Sequence, residues 1–139
     1  MVHDLISEFN SNRFLLTEGA VGQRIEHEHG LSPDGNIFYA PLIYDPQGRE
    51  ALQKIYCQYL RIAQNYDIPI LLMTNTRRAN RERMQKSGFK DKNVMYDYAV
   101  FIKALAAKFN CSAFIGGMMG CRGGATLTAE LKAYQQIMP

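Results

Sequence analysis

At 139 residues, with 47% hydrophobic and 21% charged side chains, the chain has the size and composition of one core-forming domain, which argues against a disordered or fibrous segment. Its 16 basic and 13 acidic residues leave a formal charge of +3 and are interleaved, so no nucleic-acid or other polyanionic partner is expected. Three unpatterned cysteines, Cys57, Cys111 and Cys121, argue against a disulfide framework and fit a reducing, cytoplasmic setting, while the acidic start MVHDLISEFN and the lack of a long apolar run argue against export and membrane insertion.

Taken in chain order, residues 4–9 read as a short helix and Arg13-Phe14-Leu15-Leu16-Thr17 as a short buried strand. Gly19 and Gly22 mark a turn into a helix over 21–29, which Gly30 ends. Residues 31–45 form a loop around Ser32-Pro33-Asp34-Gly35, with an extended apolar patch over 37–44. A long amphipathic helix over 49–66 carries Leu52, Ile55, Tyr56, Tyr59, Leu60 and Ala63 at helical spacing. It leads into Pro69-Ile70-Leu71-Leu72-Met73, whose uniform apolarity predicts a parallel strand covered on both faces. A polar helix over 77–86 follows, then a helix over 94–109 presenting Met95, Tyr98, Ala99, Ile102, Leu105, Ala106 and Phe109 to a core. Ala113-Phe114-Ile115 is a third strand, which runs into a glycine-rich stretch over 116–124, and residues 126–137 read as a last helix.

This alternation predicts a single α/β domain over 1–139 with parallel strands joined by right-handed crossovers. Ligands of such folds bind beyond the carboxyl ends of the strands. The three strands here end in Glu18-Gly19-Ala20, Thr74-Asn75-Thr76 and Gly116-Gly117, and these polar and glycine-rich ends would share one face.

Each of these ends has two readings. Glu18 either favours the start of the following helix or meets an amine or hydroxyl of a ligand. Thr74, Asn75 and Thr76 either cap a helix or line a pocket. The glycine run matches neither a phosphate-binding P-loop nor GxGxxG, and forms either a tight ligand-approaching loop or a flexible one. His27 and His29 flank Glu28, but residues two apart on a helix point about 200° apart, so solvated histidines are expected in place of a metal site. Arg77, Arg78, Arg81 and Arg83 read most simply as a wet helix face, with phosphate recognition as the weaker option.

In combination, these stretches resemble the homocysteine S-methyltransferase family, whose members are (β/α)8 barrels. Glu18-Gly19-Ala20-Val21-Gly22-Gln23 stands where the family has Asp-Gly-Ala/Gly-x-Gly-Thr, Thr74-Asn75-Thr76-Arg77 where it has Thr-Asn-Thr and an aromatic, and Ile115-Gly116-Gly117-Met118-Met119-Gly120 where it has a Gly-Ser-x-Gly segment. The likeness covers residues 14–124 in order. It implies the first three βα units of a TIM-type barrel, with methyl transfer to the thiol of homocysteine or a related small thiol. It also implies a substrate pocket built from Glu18, Gly19, Ala20, Thr74, Asn75, Thr76, Gly116 and Gly117, in which Glu18 holds the substrate's amino group.

The resemblance further implies zinc to activate the thiol. The family's cysteine ligands lie on later strands, one in an Asn-Cys motif and two adjacent after Gly-Gly; this sequence has no adjacent cysteine pair, and its Asn110-Cys111 precedes the third strand. A closed barrel also needs roughly 200 residues or more. The expectation is therefore a front half without methyltransferase activity of its own, which associates as a homo-oligomer or with a missing C-terminal half. Two other functions compete with it: a small α/β module binding an amino acid or phosphate-bearing metabolite, and a barrel enzyme with Glu18 as general base.

Overall fold

The computed structural model describes residues 4–11 and 14–120. The strand expected at Arg13, Cys121, the end of the glycine run and the helix expected over 126–137 lie wholly or partly outside these residues. Three short strands, β1 (Leu16–Thr17), β2 (Ile70–Met73) and β3 (Ala113–Gly116), form an open parallel sheet in the order β1-β2-β3. The helices are α1 (Leu5–Asn10), α2 (Val21–His29), α3 (Pro46–Tyr66), α4 (Arg81–Lys86) and α5 (Val94–Ala106), and a 3-10 turn spans Ala40–Tyr44. The chain is thus α/β with parallel strands, as its alternating pattern predicts.

Local chemistry sets the helix boundaries. α3 begins where the Asp45 carboxylate accepts the Gly48 N–H at 2.6 Å and Pro46 occupies the first turn, where its missing N–H costs nothing. α2 ends on Gly30 in the left-handed conformation. α4 starts at Arg81, four residues later than expected, because the Asn80 side chain caps it by accepting the Arg83 N–H at 3.0 Å. α5 ends at Ala106, and Met95, expected in the core, is 43% exposed. The apolar patch over 37–44 is not extended: it turns through Phe38, at φ +55°, into the 3-10 turn.

Register places Leu16, Ile70 and Ala113 side by side on one face of the sheet, with Leu72 and Ile115 in the next row. All five join a single core with Val21 and Ile25 of α2, Leu52, Ile55, Tyr56, Leu60 and Ala63 of α3, and Tyr98, Ile102 and Leu105 of α5. Thr17, Leu71 and Phe114 share the opposite face with Met73 and Gly116. None of these belongs to that core, and Leu71, Met73 and Phe114 are only half-buried. Among the described residues, α2, α3 and α5 cover one face of β2, and the other face leaves Leu71 and Met73 half-buried. β1 is also shorter than expected and lies at the sheet edge, with Phe14 87% exposed.

Candidate functional site

The carboxyl ends of β1 and β2 open into a cavity of about 500 Å³. Of the eight residues expected to build the pocket, Glu18, Ala20, Thr74 and Asn75 line it. Thr76 is buried behind it, Gly19 and Gly117 are exposed, and Gly116 ends β3 next to Met73.

β1 stops after Thr17, so it offers no backbone partner to the last residue of β2. The Glu18 carboxylate fills that role: its Oε2 accepts the Met73 N–H at 3.1 Å. The Met73 carbonyl is held from the other side by the Tyr56 hydroxyl at 2.9 Å. Side chains thus satisfy both backbone groups of Met73 where the ladder runs out, as buried peptide groups require. Glu18 does not cap α2, whose N-terminal flank, Ala20, sits in the left-handed region at φ +48° with no side-chain cap. Partial withdrawal from water pushes the Glu18 carboxyl above its ordinary value, an effect that hydrogen bonds from its own N–H and from the Met73 N–H only partly offset.

The second strand end is fixed just as tightly. The Thr74 N–H donates to the Gly116 carbonyl at 2.9 Å, continuing the ladder. The Thr74 hydroxyl oxygen accepts the Met118 N–H at 3.1 Å and lies 2.8 Å from that of Thr76, which donates to the Met118 carbonyl at 3.0 Å. Both threonines are buried, at 2% and 1% exposure. They bind the β3 loop to the end of β2 and cap no helix. The glycine run follows β2 closely in its described part: a Cβ on Gly116 would stand 2.5 Å from the Met73 sulfur, and one on Gly120 would collide with the Arg77 carbonyl.

Sequence reading missed Phe38, Tyr39, Tyr56, Arg77, Arg78 and Met118, all of which line the cavity. Tyr56 lies on the core side of α3 with its hydroxyl 3.4 Å from that of the fully buried Tyr98, and burial raises both phenols well above the usual range. Arg77 and Arg78 precede α4 and are not part of a solvated helix face. The signal available in sequence was the Asn80 cap, which leaves both arginines in the segment after β2.

No group of three His, Cys, Asp or Glu side chains suited to a metal ion occurs among the described residues. Cys57 and Cys111 are free, half-buried thiols held above their ordinary pKa by burial. The described residues alone supply no donor set for the zinc that the resemblance implies, and Cys121 lies outside them. No described helix is long and apolar enough to cross a membrane. No protein-family model, no curated protein and no solved structure matches the chain.

Proposed function

We propose that the chain is a homocysteine S-methyltransferase-like protein whose cavity binds a small thiol amino acid, homocysteine or a close relative, and that it does not transfer methyl groups by itself. The observation that carries this reading is the meeting of Glu18 and Thr74 at one cavity beyond the strand ends. Glu18 spends Oε2 on the Met73 N–H, while an ionised carboxylate accepts at about four lone-pair positions. Its own N–H takes a further share, and the remaining capacity, in a residue that lines the cavity, suits an ammonium group. The proposal routes no step through zinc.

The same reading makes the sheet a sector of a (β/α)8 barrel. Among the described residues the strand order is sequential and the helices pack on one face, which suits such a sector, whereas a doubly wound sheet carries helices on both. The half-buried side chains Leu71, Met73 and Phe114 then correspond to the barrel interior. Exposed sheet edges and apolar area favour association, so the proposal includes pairing with a second copy or with a chain that supplies the remaining strands.

Calorimetric titration of homocysteine into the purified chain tests the binding claim. One saturable site is expected, and no heat from a folded sample would defeat it. Light scattering tests association: a species larger than one chain is expected, and a monodisperse monomer would contradict it.

A further inference from the structure

Arg78 has an environment that the amino-group site does not explain. Its guanidinium carbon lies 4.2 Å from the centroid of the Phe38 ring, and both residues line the cavity that Glu18 lines. Its Nε is buried and has no hydrogen-bond partner. A buried, unpaired donor on a charged group is costly and is rarely left so in a native protein. Glu18 does not relieve it, since the two form no ion pair despite sharing the cavity.

The plate beneath Arg78 is held at a cost of its own. Phe38 sits at φ +55°, which a bulky side chain rarely adopts. Its N–H and carbonyl both pair with the backbone of Asp34, at 3.1 and 2.9 Å. The Asp34 carboxylate also accepts the Asn36 and Ile37 N–H groups, each at 2.9 Å. These bonds hold the loop in a conformation that lays the ring against the guanidinium. With Nε closed off, the terminal Nη groups of Arg78 are the donors that can meet a carboxylate in two parallel hydrogen bonds.

We propose that Arg78, held on Phe38, is the carboxylate-recognising residue of this cavity, so that the ligand class is a free α-amino acid and not an amine or a peptide-linked residue. This rests on the reading that the cavity holds an amino acid through Glu18. Glu18 takes the ammonium and Arg78 the carboxylate; of the other charged liners, Glu26 lies by the Tyr39 hydroxyl and Arg77 is exposed, and a cavity with charges of both signs fits a zwitterion.

Three probes separate the two sites: homocysteine, aminopropanethiol, which is homocysteine without its carboxylate, and sulfanylbutanoate, which is homocysteine without its amino group. Affinities are measured for the wild-type chain, Arg78→Met and Arg78→Lys, with circular dichroism as the check on folding. The wild type is expected to bind homocysteine at least about tenfold more tightly than aminopropanethiol. Arg78→Met should abolish that preference and bind aminopropanethiol as the wild type does. Arg78→Lys keeps the charge without the fork and should recover only part of it; it also serves if Arg78→Met does not fold. The inference is overturned if the carboxylate gives the wild type no advantage, or if both variants keep it in full. Sulfanylbutanoate that binds in an Arg78-dependent way, with no gain from adding the amino group, would uphold Arg78 and defeat the Glu18 reading alone.

Discussion

The carboxylate of Glu18, just past the end of β1, accepts the backbone N–H of Met73, the last residue of β2, at 3.1 Å. This contact shows why a short apolar strand ends on a charge. β1 gives out two residues before its neighbour does, and an acceptor on a side chain replaces the missing carbonyl. The same contact holds the carboxylate at the mouth of the cavity, half-withdrawn from water.

That position carries a stability cost. Burial raises the folded-state pKa of Glu18 above 4.5, so the folded chain binds its proton more tightly than the unfolded chain does. The contribution to stability is therefore least favourable above the raised value and improves as pH falls toward 4.5. Glu18→Gln removes the charge and keeps an oxygen to accept the Met73 N–H. At pH 7 the variant should be more stable than the wild type by under about 1 kcal/mol, because the carboxylate keeps part of its hydration. Urea denaturation at a series of pH values checks this: the gap between the two proteins should close as pH is lowered through the window above 4.5.

Ligand affinity should move the opposite way. Protonation of Glu18 removes its attraction for an ammonium group, so homocysteine binding should weaken on acidification, and from a higher pH than an ordinary glutamate would give. Titrations at falling pH would show this loss in the wild type, and Glu18→Gln should show none over the same range.

Thr74 ties two strand ends together through a hydroxyl. Thr74→Val keeps the shape, but it leaves the Met118 N–H without its acceptor and Thr76 without its neighbour. A loss of about 1–3 kcal/mol is expected, with weakened ligand binding as the β3 loop comes away from β2. Thermal unfolding and hydrogen exchange at Met118 measure the two effects separately.

Ala20 is in the left-handed region at φ +48°, where a Cβ is disfavoured. Ala20→Gly should relieve that strain and stabilise the fold by up to about 1 kcal/mol, less the entropy that glycine adds to the unfolded chain. A higher denaturant midpoint with an unchanged slope is the expected result.

Much of the frame was legible in the sequence because it follows from local rules. The period of Leu52, Ile55, Tyr56, Leu60 and Ala63 marks α3, and the run from Ile70 to Met73 marks β2. The misplaced start of α4 had a local cause as well, since Asn80 competes for the capping role that Thr74, Asn75 and Thr76 were offered. The site was legible only in part. Tyr56 follows the core period, and nothing along the chain shows that its hydroxyl reaches the Met73 carbonyl, 17 positions away. Arg78 looked solvated because its partner, Phe38, lies on a loop 40 residues earlier whose conformation is set by Asp34. Both depend on tertiary juxtaposition, which periodicity does not encode.

The most direct measurement is a paired titration of homocysteine and of sulfanylbutanoate into the wild type and Glu18→Gln at neutral pH. The expected result is that Glu18→Gln weakens homocysteine by at least about tenfold while leaving sulfanylbutanoate unchanged. Equal affinity of the folded variant and the wild type for homocysteine would mean that the carboxylate serves Met73 alone, and that no ammonium group is held beside it.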